Sequence, residues 1–170
     1  MKKLRQNLSG AWAISVLSIA LLSCNNKNSE IMDKEPTASL FPKGEKLSND
    51  WFTGNAFLSP LVAKDKNNGF SAGAVTFEKG ARTNWHTHPK GQVLLVTEGS
   101  GLYQEKGKPA KAIRRGDVVN IPENTEHWHG ATANAMMTHI AITNFKDEVQ
   151  VTWLKPVTDS EFNDANTENK

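Results

Sequence analysis

From Leu40 to Leu154 the chain alternates apolar and polar positions in short runs broken by turns, and no run of ten or more residues keeps a helical 3.6 period. The pattern predicts strands over Asn55–Ala63, Phe70–Phe77, Gln92–Glu98, Gly101–Glu105, Lys111–Ile113, Val118–Ile121, Met137–Thr143 and Val149–Leu154. Turn chemistry separates them: Asn67-Asn68-Gly69, Glu78-Lys79-Gly80, Gly99-Ser100-Gly101, Lys106-Gly107-Lys108-Pro109, Arg115-Gly116-Asp117 and Pro122-Glu123-Asn124. So many short strands in one body predict an all-β sandwich or barrel. From Thr158 to Lys170 the chain is polar and is expected to fray, with a helical turn around Asp159–Asn163.

The first residues have a different texture. A basic start (Lys2, Lys3, Arg5) leads into the apolar run Ala11–Leu22, whose 12 residues fall short of the roughly 20 that a spanning helix needs. This reads as an export signal. Leu21-Leu22-Ser23-Cys24 resembles the lipobox of bacterial lipoproteins, which implies cleavage after residue 23 and lipidation of Cys24. Residues 24–39 are polar and aperiodic, as a flexible tether would be. The expectation is a protein of the bacterial cell envelope, lipid-anchored and extracytoplasmic, with its folded domain over 40–157 and a tail over 158–170.

Charge narrows the partners. The chain has 20 basic and 18 acidic residues; with the three N-terminal ones set aside, 17 face 18 and the body is near neutral. No basic run remains to follow a phosphate backbone, so nucleic acid is excluded as the expected partner. The single cysteine rules out an intrachain disulfide and any cysteine-rich metal centre. A metal, if held, must be held by nitrogen and oxygen.

Nitrogen is concentrated. All five histidines, His86, His88, His127, His129 and His139, fall within 54 residues. His86 and His88 are two apart, as are His127 and His129, and residues i and i+2 of an extended segment share a side. Gln92 keeps the parity of the first pair if the strand runs on past Pro89 and Gly91. Two such pairs on neighbouring strands can aim four imidazoles into one pocket, a donor set suited to Mn, Fe, Ni, Cu or Zn. Any one of these histidines alone would more often be a half-buried strand residue with ordinary hydrogen bonds. Trp85 and Trp128 have the opposite parity and are expected to pack the other side of their strands. Trp51 and Phe52 are expected to cover a barrel end or meet a partner subunit, and Ala74, Thr76, Leu94 and Ile142 are candidates for a cavity wall.

The spacing Gly80-x5-His86-x-His88-x3-Gln92-x6-Gly99 resembles the first motif of the cupins, and Gly116-x5-Pro122-x-Asn124-x2-His127 the second, with 16 residues between them. The resemblance implies a small jelly-roll barrel, the double-stranded β-helix, with a divalent metal held by His86, His88, Gln92 and His127. Asn124 replaces the usual Gly, and Asn is the residue that best tolerates a left-handed turn. Ala131 replaces the usual Asn at the end of the motif. Gln92 replaces the usual Glu, so the ligand set is neutral and leaves the cation its full charge, a weaker grip but a stronger Lewis acid.

The wider context, Asp50-Trp51-Phe52-Thr53-Gly54, Ala81-Arg82-Thr83-Asn84-Trp85-His86, His127-Trp128-His129-Gly130-Ala131 and Met137-Thr138-His139, is similar to the manganese-dependent cupin hydroxynitrile lyases, from about Asn49 to Phe162. That resemblance implies manganese as the metal, with Fe, Ni or Zn as alternatives, and cleavage or formation of a cyanohydrin such as mandelonitrile. It also implies a homo-oligomer, common among small cupins, acting on a small molecule. His129 is the first candidate for the base and His139 the second. A cupin dioxygenase, an isomerase or decarboxylase of a small oxygenated substrate, and a non-enzymatic ligand-binding barrel stand as alternatives.

Overall fold

The computed structural model describes residues 39–169. The export signal, Cys24 and nearly all of the tether lie outside the described residues. Within them no helix is long and apolar enough to cross a membrane.

Among the described residues twelve strands and one helix follow in chain order. β1 (Glu45–Lys46), β3 (Ala56–Val62), β4 (Phe70–Phe77) and β11 (Met137–Asn144) lie side by side, antiparallel, and β11 passes the sheet on to β7 (Gln92–Glu105). β9 (Val118–Ile121) pairs with the first part of β7, and β8 (Lys111–Arg114) with its last part. The last part of β7 also pairs with β10 (His127–Ala131), which carries β5 (Arg82–Thr83), β2 (Phe52–Thr53), β6 (His86–Thr87) and β12 (Thr152–Trp153) through further pairings. The two curled sheets share β7 and form the expected cupin jelly roll.

The expected turn at Gly99-Ser100-Gly101 is not a turn. β7 runs unbroken for 14 residues and crosses from one sheet to the other at this place. Gly99 has φ 69°, and a Cβ there would stand 2.0 Å from the Met136 carbonyl oxygen, so only glycine allows the crossing. The strand expected over Val149–Leu154 shortens to Thr152–Trp153 because the chain ahead of it forms a tight turn closed by Lys146 and Val149.

The interior is one apolar cluster in which Ala56, Phe77, Leu94, Ile121 and Met137 are buried to 1% exposure or less. A second cluster lies outside β10 and holds Trp85, Leu102, Trp128, Val157, Phe162 and Ala165. Trp85 and Trp128 thus pack away from the barrel interior, as their parity required. The tail expected to fray supplies part of this cluster: α1 (Asp159–Glu168) is a helix of ten residues. Thr158 caps it, the Thr158 hydroxyl accepting from Glu161 N while the Glu161 carboxylate accepts from Thr158 N. Such a cap is worth about 1 kcal/mol, and burial of Phe162 about 1.5–3 kcal/mol more. A polar composition concealed the two apolar residues that decide the segment's structure.

Candidate metal centre

β10 alternates, so His127 and His129 point into the barrel while Trp128 points out, its indole N–H donating to Gln104 Oε1 at 2.8 Å. His86 stands directly across from His127, with ring centroids 4.1 Å apart. His88 follows at the end of β6, its ring 5.0 Å from that of His86 and 5.5 Å from that of His127.

Gln92 arrives by a turn and not by a continued strand. The chain reverses after His88, where the carbonyl accepts from Gly91 N at 3.2 Å and from Asn124 N at 2.8 Å. Gly91 has φ 72°, and a side chain there would meet the Ile121 carbonyl at 2.6 Å. Asn124 has φ 57°, the left-handed conformation that its replacement of glycine implied. β11 adds His139, whose Nε2 lies 3.2 Å from Nδ1 of His129. All six expected site residues are therefore buried in one region, none more than 6% exposed.

Hydrogen bonding decides which atoms are free. Nδ1 of His86 donates to Asn84 O at 2.9 Å, Nδ1 of His88 to Gln150 O at 2.6 Å, and Nδ1 of His127 to Thr125 O at 2.8 Å. With the proton on Nδ1, the lone pair sits on Nε2, the tautomer a metal ligand needs. Gln92 behaves in parallel: Nε2 donates to Thr143 Oγ1 at 2.9 Å, which leaves Oε1 unengaged. Nε2 of His88, Nε2 of His127 and Oε1 of Gln92 are buried without a protein partner, as are Nε2 of His129 and Nδ1 of His139. An unsatisfied buried polar atom costs about 1–3 kcal/mol, so such a group in one place calls for a ligand.

Ring nitrogens of His86, His127 and His129 come within 4.8 Å of one another, so geometry alone would admit His129 in place of His88. The hydrogen bonds distinguish the two: His86, His88 and His127 are backed by main-chain carbonyls, whereas His129 is backed by the imidazole of His139. Imidazole nitrogens and an amide oxygen are donor types that suit a divalent cation.

Burial keeps all five imidazoles neutral. It pushes His86 and His129 well below the usual histidine range, with neighbouring imidazoles adding to the effect, and brings His127 and His139 down to about 4; His88 is lowered by burial as well. In the unfolded chain histidine takes its proton near 6.5, so between about 6.5 and 4 the unfolded state binds more protons. Stability of the metal-free protein is therefore complete above this window and falls as pH drops through it, by up to about 1.4 kcal/mol per pH unit for each such group. Urea unfolding in chelator should show a clearly lower midpoint near pH 5 than near pH 7. Equal midpoints would mean that the imidazoles are not buried neutral.

Beside the polar cluster lies a cavity of about 320 Å³, large enough for a small organic molecule. Its apolar wall comes from Leu47, Phe52, Leu58, Val75, Ala141 and Trp153. Trp51, 42% exposed, stacks on Trp153 with ring centroids 5.6 Å apart at the same cavity, and Phe52 packs beneath, so this pair lines the pocket. The expected wall residues Ala74, Thr76, Leu94 and Ile142 do not line it. Ala74 and Thr76 have the wrong parity on β4, and Leu94 belongs to the packed core. The residues missed, Ala141 and Thr143, share the parity of His139 on one strand, a signal the sequence did carry. The carbonyls of Asn84, Thr125 and Gln150 left no such trace, because any residue offers one.

Comparison with known proteins agrees with this architecture. Residues 73–143 match the Cupin domain family. A protein of Granulicella tundricola named (R)-mandelonitrile lyase is 44% identical over 113 residues, 66% of this chain and 86% of its own length. A crystal structure of a cupin-like protein from Thermotoga maritima superposes with a TM-score of 0.72 at 45% identity, covering 75% of this chain and 97% of that one. A cupin 2 conserved barrel domain protein from Rhodopseudomonas palustris shares the fold at 18% identity, with a TM-score of 0.56 over 68% of this chain and 77% of its own. With its motifs, its jelly roll and its buried histidine cluster in agreement, this chain belongs to the cupin family.

Proposed function

We propose that the protein is a metal-dependent cupin lyase that cleaves or forms cyanohydrins, with the cation held by His86, His88, Gln92 and His127 and manganese as the metal. The observation that carries this reading is the shared orientation of donor lone pairs: Nδ1 of each ligand imidazole is occupied by a carbonyl, and the Gln92 amide nitrogen by Thr143. The relative named as a mandelonitrile lyase supports the reaction class.

A divalent cation in this site would supply Lewis acidity toward a substrate oxygen. The chain's own residues supply the rest. In the tautomer in which His129 Nδ1–H donates to His139 Nε2, 3.2 Å away, the lone pair of His129 Nε2 is available as a base. His129 takes the hydroxyl proton while the bond between the carbinol carbon and the nitrile carbon breaks, yielding an aldehyde and cyanide. The imidazolium then returns that proton to cyanide, giving hydrogen cyanide. Depression of His129 keeps it neutral at rest and helps its imidazolium surrender the proton to cyanide, while making it a weaker base in the first step. His139 steadies the transient charge. The apolar wall receives the aryl or alkyl group, and Trp153, 4.9 Å from the His86 ring, lies where an aromatic ring would stack.

The reading is tested by metal analysis of the purified protein, followed by mandelonitrile cleavage with and without chelator. Manganese content and chelator-sensitive, oxygen-independent release of benzaldehyde are expected. Oxygen consumption with bound iron would move the protein to the dioxygenases. A second measurement addresses charge: Gln92→Glu should retain metal more tightly and turn over more slowly, because a carboxylate cancels one unit of the cation's charge. Faster turnover would reverse that reasoning.

A further inference from the structure

We infer that Thr143 is a positioning residue for the metal centre: by accepting from the Gln92 amide nitrogen it holds Oε1 toward the imidazoles, and so sets how tightly the site grips its cation. The inference rests on the ligand set proposed above and extends it to a residue outside that set.

The placement comes from strand register. Along β11, Met137 faces Gly99 and Thr138 faces Glu98, but the register then slips, so that His139 faces Val96 and Thr143 faces Gln92. Without the irregularity between Thr138 and His139, Thr143 would face Val93, whose side chain points to the other side of the strand. Directly opposed residues put their Cβ atoms about 4.5–5.5 Å apart, within reach of a short hydroxyl and a longer amide. The resulting contact from Gln92 Nε2 to Thr143 Oγ1 is 2.9 Å, and each residue is 6% exposed.

Glutamine makes such a partner necessary. Its side chain has three rotatable torsions and two chemically opposite ends. Turned round, the amide would present N–H groups to the lone pairs of neighbouring imidazoles, which would occupy ligand atoms instead of adding one. Left untethered, it would lose its rotamer freedom on each binding event. Thr143 holds the nitrogen end in advance, with the Gln92 amide against the His88 imidazole. His139, Ala141 and Thr143 share one face of β11, so the strand that orients the proposed base also orients the amide ligand.

The test uses the full-length protein, purified and stripped of metal, titrated with Mn²⁺ by electron paramagnetic resonance and by competition with a chelator. Thr143→Val keeps the shape and removes the acceptor; Thr143→Ser keeps the hydroxyl. Valine should weaken Mn²⁺ binding about tenfold to a hundredfold, while serine should stay within about threefold of the wild type. In a Gln92→Ala background, Thr143→Val should have no further effect on affinity, since its partner is gone. Unchanged Mn²⁺ affinity in Thr143→Val, or the same loss with and without Gln92, would overturn the inference. Wild-type protein that bound no Mn²⁺ would overturn both this inference and the ligand set. Tight Mn²⁺ binding without cyanohydrin turnover would overturn the reaction alone, and the affinity series would still decide the role of Thr143.

Discussion

Replacement of His127 by alanine is expected to remove metal and activity together. His127 is fully buried, directly opposite His86, with Nδ1 fixed by Thr125 O and Nε2 without a protein partner. Outer hydrogen-bond partners of metal ligands are worth about tenfold to a hundredfold in affinity, so loss of a ligand itself should exceed a hundredfold. Turnover should fall in proportion at any metal concentration below the new dissociation constant. Truncating a buried ring also opens a cavity, so His127→Gln, which keeps more of the volume, belongs beside the alanine variant. Circular dichroism separates a folded, metal-free protein from an unfolded one. A folded His127→Ala protein with wild-type turnover would end the metal-catalysis proposal.

The second large effect is expected at His129, and it differs in kind. His129→Ala should keep its metal, because His86, His88, Gln92 and His127 remain, yet lose about 10²–10⁴-fold in kcat, the usual contribution of a positioned base. Metal content therefore distinguishes the two variants even where both are inactive. His139→Gln should keep its metal and lose less in kcat than His129→Ala, since Nε2 of His139 only backs the base at 3.2 Å. Should His129→Ala lose metal to the same degree as His127→Ala, His129 would be a ligand, in keeping with its 4.8 Å proximity to the ring nitrogens of His86 and His127.

Much of this centre is legible in the sequence. Two i, i+2 histidine pairs define same-side pairs wherever the chain is extended, and β10 is extended, so His127 and His129 share a face and Trp128 does not. Asn124 was readable as a left-handed turn residue because few other side chains tolerate that conformation. The parity extended from His88 to Gln92 had a different basis in the fold. A turn at Gly91 brings Gln92 to the site, and periodicity carries no information across a chain reversal.

Local pattern alone thus determined several of the longer strands, the left-handed turn at Asn124 and the concentration of imidazoles in one part of the chain, because these depend on neighbouring residues and on a two-residue repeat. Tertiary structure alone decided the long β7 crossing at Gly99, the one-residue slip that sets Thr143 against Gln92, and the choice of Asn84, Thr125 and Gln150 as carbonyl partners. It also made a helix of a polar tail by giving Phe162 and Ala165 a surface to cover. The physical reason is common to all four: each depends on which strand or surface lies alongside, and pairing between distant segments is fixed by the packing of the whole barrel.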